Sequence, residues 1–172
     1  MTHSHNKTHD LVITAVFAAL ICAAAPFSVP VGPVPISLAT LMIYIAAGVL
    51  GAPRATLAVC VYIALGALGL PVFSNFSGGL PKLVGATGGY IVGYIPLALI
   101  SGVFFKTRLF TLGALAGTAV LYALGTAWFV FQTGNTLAFA LSVCVVPFLI
   151  GDAAKIAVSA IISPVIRRQA RL

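Results

Sequence analysis

The sequence predicts an all-α integral membrane protein, a single domain over residues 1–172 with six transmembrane helices and both termini in the cytoplasm. Three observations predict it. Of the 172 residues, 61% are hydrophobic and only 6% charged, where a soluble domain carries about 25% charged residues. The apolar residues gather into six runs, and a mean hydropathy of +1.17 excludes disorder and leaves no room for an appended soluble module. Finally, the cations segregate to one side of the membrane when the six runs are threaded through it.

The runs extend roughly from Leu11 to Ala25, Leu38 to Leu50, Ala55 to Leu70, Gly89 to Phe105, Leu109 to Phe131 and Leu137 to Ile166. A span needs ~20 apolar residues, so the second is short and is expected to borrow from its flanks or to tilt little. Pro26, Pro30, Pro33 and Pro35 make the first connection extended chain. The connection from Pro71 to Thr87 is the longest and is rich in Gly, Ser and Asn, a composition and length expected of a functional loop. Starting from a cytoplasmic N-terminus, Lys7, Arg54, Lys106, Arg108, Arg167, Arg168 and Arg171 fall inside. Lys82 alone falls outside, and Lys155 lies within the last helix. The inverted topology, or five or seven helices, would spoil this segregation. No signal peptide is evident, because the first run lacks a clear A-x-A cleavage site followed by a polar mature domain.

Nine Lys and Arg against two acids give a formal charge of +7. Nucleic acid is not the expected partner, because the cations stand singly between apolar runs rather than in a stripe with interleaved aromatics. Cys22, Cys60 and Cys144 are widely spaced, without the C-x-x-C spacing of a zinc or redox site, and read as small hydrophobes. His3, His5 and His9 beside Asp10 form an N-terminal tract that reads as a tail rather than a metal site. No cofactor is expected.

Chemistry concentrates in the last run. Asp152 and Lys155 lie inside it, on one helix face at i and i+3. An unpaired Asp or Lys at the bilayer centre costs ~2.5–3.5 kcal/mol on insertion scales, so buried charges mark functional sites unless they form a purely structural ion pair. Pro147 is expected to bend this helix, and Gly151 to admit another backbone or a ligand. A second concentration is the glycine-rich block from Gly85 through Thr87, Gly88 and Tyr90 to Gly93. It reads either as a helix entry offering N–H groups to a ligand or as plain tight packing. It lacks the Gly-Lys-Ser/Thr ending of a P-loop. Phe73, Phe76, Tyr122, Trp128 and Phe129 could wall a pocket or form the interfacial aromatic belt. Two stripes of small residues, Ala15-Ala19-Ala23 and Gly113-Gly117, suit close helix contact, within the chain or with another membrane protein.

Four stretches resemble one family. Pro33-Val34-Pro35-Ile36-Ser37-Leu38, Gly69-Leu70-Pro71-Val72-Phe73, the block GATGGYIVGY and Gly151-Asp152-x-x-Lys155 occur in the order and spacing of BioY. That family comprises the substrate-binding S components of energy-coupling-factor (ECF) biotin transporters. The resemblance covers nearly the whole chain. It implies capture of biotin at the outer face of the cytoplasmic (inner) membrane, energised by a transmembrane coupling protein and a pair of ABC ATPases. It makes Asp152 and Lys155 polar ligands of biotin, with Gly85, Thr87, Gly88, Tyr90, Ser37 and Phe73 shaping the site. It makes Ala15, Ala19 and Ala23 the surface that docks the coupling protein. Two positions depart from the family pattern: Ala39, where many members have Gln, and Ala86, where many have Pro. Loss of the Gln removes a possible hydrogen bond to the ligand.

An enzyme is not expected. A membrane aspartyl protease needs two carboxylates in the bilayer and a membrane serine protease needs a helix histidine; the sequence supplies neither. The competing reading is a non-transporting assembly subunit in which Asp152 and Lys155 form a packing ion pair. A homo-oligomer is left open, although a pore lined by one acid and one Lys per chain would be thinly polar.

Overall fold

A computed structural model describes residues 7–107 and 109–169; Arg108, Arg171, His3 and His5 lie outside the described residues. The chain enters as α1 (Lys7–Ala24) and crosses a short antiparallel hairpin, β1 (Ser28–Val29) with β2 (Ile36–Ser37). It continues through α2 (Ala39–Leu50) and α3 (Ala52–Ala67) to α4 (Leu80–Val84) and α5 (Gly88–Val103). It ends with α6 (Phe110–Thr133), α7 (Leu137–Cys144) and α8 (Val146–Gln169). α1, α6 and α8 are long and apolar enough to cross a membrane, whereas α2, α3 and α5 are shorter apolar helices. The proline-rich connection is extended, as expected. The longer loop instead carries a 3-10 turn at Ser74–Phe76 as well as α4.

The last apolar run is two helices. The chain breaks at Val145 (φ −123°, ψ −56°), and Pro147 stands in the first turn of α8. There its missing N–H leaves no intrahelical bond unmade. The proline therefore helps to start a helix rather than bending one. Gly151 also departs from expectation: a Cβ there would meet nothing within 4 Å, so no backbone approaches it.

α2 is the central helix. Nearly all of it is buried, from Ala39 to Leu50, and it packs against α1, α3, α5 and α8. At ~1.5 Å per residue its 12 residues cover about 18 Å, well short of the ~30 Å hydrocarbon thickness. The hairpin runs directly into its N-terminus: the Leu38 N–H donates to Phe27 O, and Ser37 Oγ accepts from the Ala39 N–H at 3.1 Å. A sharp corner at Gly51, whose φ of +78° few side chains tolerate, turns α2 into α3.

α5 and α6 form the most extensive helix pair. Lipid supplies no hydrophobic drive between helices, so contact comes from small residues that accept bulky neighbours. Gly117 faces Leu97, Gly113 faces Phe104, and Gly125 lies under the ring of Tyr90. The Gly113-Gly117 stripe is thus used within the chain. The alanine stripe is not: α1 buries Thr14, Phe17, Ala18 and Ile21 and leaves Ala15, Ala19 and Ala23 exposed.

Arg54 pairs with Asp10 at 2.6 Å, and Arg167 donates to Phe105 O at 2.6 Å. The α2–α3 corner abuts the Phe105 ring, so Arg54, Lys106 and Arg167 gather at one end of the bundle. Lys82, on α4, precedes the opposite end of α5.

Candidate functional site

The site is built where α8 faces the start of α2. Asp152, in the second turn of α8, is 4% exposed, and its carboxylate is met from three elements. Oδ1 accepts from Lys155 Nζ at 3.0 Å and from Thr40 Oγ1 at 3.3 Å; Oδ2 accepts from the Tyr122 hydroxyl at 2.7 Å. Lys155 Nζ also donates to Ser37 O and Thr40 Oγ1, both at 2.9 Å. All three ammonium donors are therefore used. Burying two charges in a low dielectric is stabilising only when the remaining donors and acceptors are satisfied, and hairpin, α2 and α6 together do that.

These groups line a small cavity of about 30 Å³. Val34 and Pro35 of the hairpin, Tyr90 and Tyr94 of α5, Leu121 of α6 and Phe148 of α8 complete its walls. A cavity of that size has room for little more than a water molecule. Across the hairpin lies a larger, mainly apolar groove of about 460 Å³, lined by Phe27, Ile36, Asn75 and Phe76 among others. Ser37 and Lys155 border both spaces, so the hairpin is the partition between them. Its far side is clipped to the longer loop. The Asn75 N–H lies 3.0 Å from both Pro26 O and Ser28 Oγ, Ser28 Oγ donates to Asn75 Oδ1 at 2.9 Å, and Phe27 meets Phe76 edge-on.

Of the residues singled out in the sequence, Asp152, Lys155, Ser37 and Tyr90 come together on the cavity wall. Tyr90 is held there by its hydroxyl, which lies 3.2 Å from Thr126 Oγ1 and donates to Cys144 O at 3.1 Å. Gly85, Thr87, Gly88 and Phe73 stand off that wall. Gly85 O accepts from Trp128 Nε1 at 2.9 Å, Thr87 precedes α5, and a side chain at Gly88 would strike Leu83 O. These three, with the bond from Gln132 to Val84 O, fix the entry of α5 beside the C-terminal part of α6. Phe73 is fully buried, with its ring edge-on to Tyr62 at 5.5 Å and packed on Gly66. Among the aromatics, Tyr122 joins the site, whereas Phe129 is core and Phe76 is exposed.

Thr40 and Tyr94 were not singled out in the sequence. Both left a signal: Thr40 places a hydroxyl in an otherwise apolar helix, and Tyr94 follows Tyr90 by one helical turn. Leu121 and Phe148 left none, being apolar residues in apolar runs.

The BioY family model matches residues 1–172. The chain is 40% identical over 158 residues to the biotin transporter BioY of Thermotoga maritima, covering 90% of this chain and 93% of that protein. It is 37% identical to the probable biotin transporter BioY of Pyrococcus horikoshii, covering 91% and 95%. In three dimensions it is similar to the crystal structure of the S-component for biotin from an ECF-type ABC transporter. The TM-score is 0.88 at 27% identity, over 98% of this chain and 95% of that one. The chain, matched from end to end, belongs to the BioY family.

Proposed function

We propose that this chain is the biotin-capturing S component of an ECF-type transporter, a six-span protein of the cytoplasmic membrane with both termini inside. The observation that carries the reading is the buried Asp152–Lys155 pair on the wall of a cavity bordered by the hairpin, in a chain 40% identical to a biotin transporter. Clustering of Arg54, Lys106 and Arg167 at one end, with Lys82 toward the other, supports the orientation. Biotin offers a ureido group with two N–H donors and a carbonyl, an apolar ring and a carboxylate tail. Asp152 accepts only and Lys155 donates only, which suits these groups. The tyrosines, Leu121 and Phe148 suit the ring.

A cavity of about 30 Å³ cannot hold such a ligand, so binding requires the hairpin to lift and join the cavity to the adjoining groove of about 460 Å³. Saturable binding of labelled biotin by the purified chain tests the function; no binding favours the assembly reading, whose support is that the pair is already satisfied by Ser37, Thr40 and Tyr122. The gate has its own test. Ser28→Ala removes the side-chain clip to Asn75 and should speed proteolysis of residues 26–35 and 71–87, with biotin slowing cleavage in the unaltered chain. Cleavage that ignores both the substitution and the ligand would exclude a moving hairpin.

A transmembrane coupling protein docks on the exposed stripe Ala15-Ala19-Ala23, and a partner ABC ATPase pair hydrolyses the ATP. Ala19→Trp is expected to leave biotin binding intact while abolishing co-purification of the coupling protein and ATPases. Retained co-purification would move the docking surface elsewhere.

A further inference from the structure

Three turns along α8 from Asp152, ~16 Å away along the axis, a separate cavity of about 390 Å³ opens between α8, the start of α6 and the α5–α6 connection. Lys106 and Arg167 line it. Arg167 donates to Phe105 O and lies 5.7 Å from the centroid of that ring, with Lys106 Nζ 5.2 Å from the same centroid. A guanidinium has five N–H groups, and one is committed to Phe105 among the described residues. Among the described residues neither cation is paired with an acid: the ion pairs there are Arg54 with Asp10 and Lys155 with Asp152.

Two further features point to an anion. Ser163 lines the cavity at 2% exposure, and its hydroxyl has no hydrogen-bond partner among the described residues. Buried hydroxyls are nearly always partnered, so an orphan on a cavity wall signals a missing acceptor or donor. The 24-residue α6 also begins here, with Phe110 and Thr111 on the wall; Thr107 Oγ1 accepts from the Leu109 N–H just ahead of it. The helix dipole adds positive potential. Next in sequence to the wall residues Thr111 and Ala160, α6 and α8 expose apolar side chains: Leu112 is 61% exposed and Ile161 71% exposed. A soluble anion would gain nothing from those side chains, whereas acyl chains would lie against them.

We propose that this cavity binds the phosphate of an anionic phospholipid, received by Arg167, Lys106 and the Ser163 hydroxyl, with the acyl chains on the flank of α6 and α8. The inference needs the membrane reading but not the identity of the transported ligand.

The test is thermal denaturation of the detergent-purified protein titrated with phosphatidylglycerol, phosphatidylcholine or inorganic phosphate. Phosphatidylglycerol is expected to raise Tm saturably and the other two to leave it unchanged. Lys106→Gln, Arg167→Gln and Ser163→Ala should each move the midpoint at least threefold higher. Ser163→Ala removes only an unpartnered hydroxyl and should fold normally. Arg168→Gln makes the same charge change on an exposed residue outside the cavity and should leave the midpoint unchanged. The proposal falls if phosphatidylcholine matches phosphatidylglycerol, if inorganic phosphate reproduces the shift, or if Arg168→Gln acts as strongly as the cavity variants.

Discussion

Asp152→Asn and Lys155→Ala are each expected to weaken biotin binding by at least ~1.5 kcal/mol, about tenfold or more, the scale of a lost hydrogen bond to a charged group. Each substitution also strands the opposite charge, which is 5% exposed for Asp152 and 13% for Lys155 at the side chain. Removing one partner of a buried pair destabilises by roughly 3–5 kcal/mol, so thermal stability should fall in both. The double variant Asp152→Leu/Lys155→Met separates folding from recognition. It leaves no uncompensated charge and should recover much of the stability, since apolar replacement of a buried pair is often neutral. Binding should stay lost. Biotin binding at the original affinity in the double variant, measured with labelled ligand alongside a melting curve, would reduce the pair to helix packing.

Gly125→Val should abolish binding without a change of any polar group. A Cβ at Gly125 would enter the ring of Tyr90, and that ring lines the cavity while its hydroxyl reaches Cys144 O on α7. Overpacking a close interface costs ~1–3 kcal/mol, and the ring, unlike the backbone, can yield. The expected result is a folded protein with Tyr90 displaced toward Asp152 and biotin excluded. Tyr90→Phe in the same assay retains the ring and should bind far better than Gly125→Val. Normal binding by Gly125→Val would show that the position of the Tyr90 ring is unimportant.

Most of the long helices were legible in the sequence because a helix in lipid must satisfy its backbone internally and be apolar over its length. The runs from Leu38 and Leu109 match α2 and α6 to within two residues at either end. The run from Leu137 did not read as α7 and α8, since a proline in an apolar run is the same letter whether it bends a helix or opens one. Gly151 misled similarly. Glycine permits close approach but does not require it, and only the neighbours decide. For the alanine stripe on α1, spacing showed that close contact was available; packing showed that the chain itself does not use it.

The sequence by itself determined the class of protein and the two charges at the centre of the candidate site: a membrane bundle, and one carboxylate and one ammonium on a shared helix face. Those follow from composition and from the expense of burying charge, both local properties. The tertiary structure alone decided who answers those charges: Ser37 and Thr40, more than a hundred residues away in the chain, and Tyr122 from α6. It also decided that a hairpin divides the cavity from the larger groove, and that Gly85, Thr87, Gly88 and Phe73 stand off the cavity wall. Partners in a hydrogen-bonded cluster are chosen by how helices cross, and in lipid that crossing is set by small residues and shape. No pattern along a single segment carries that information.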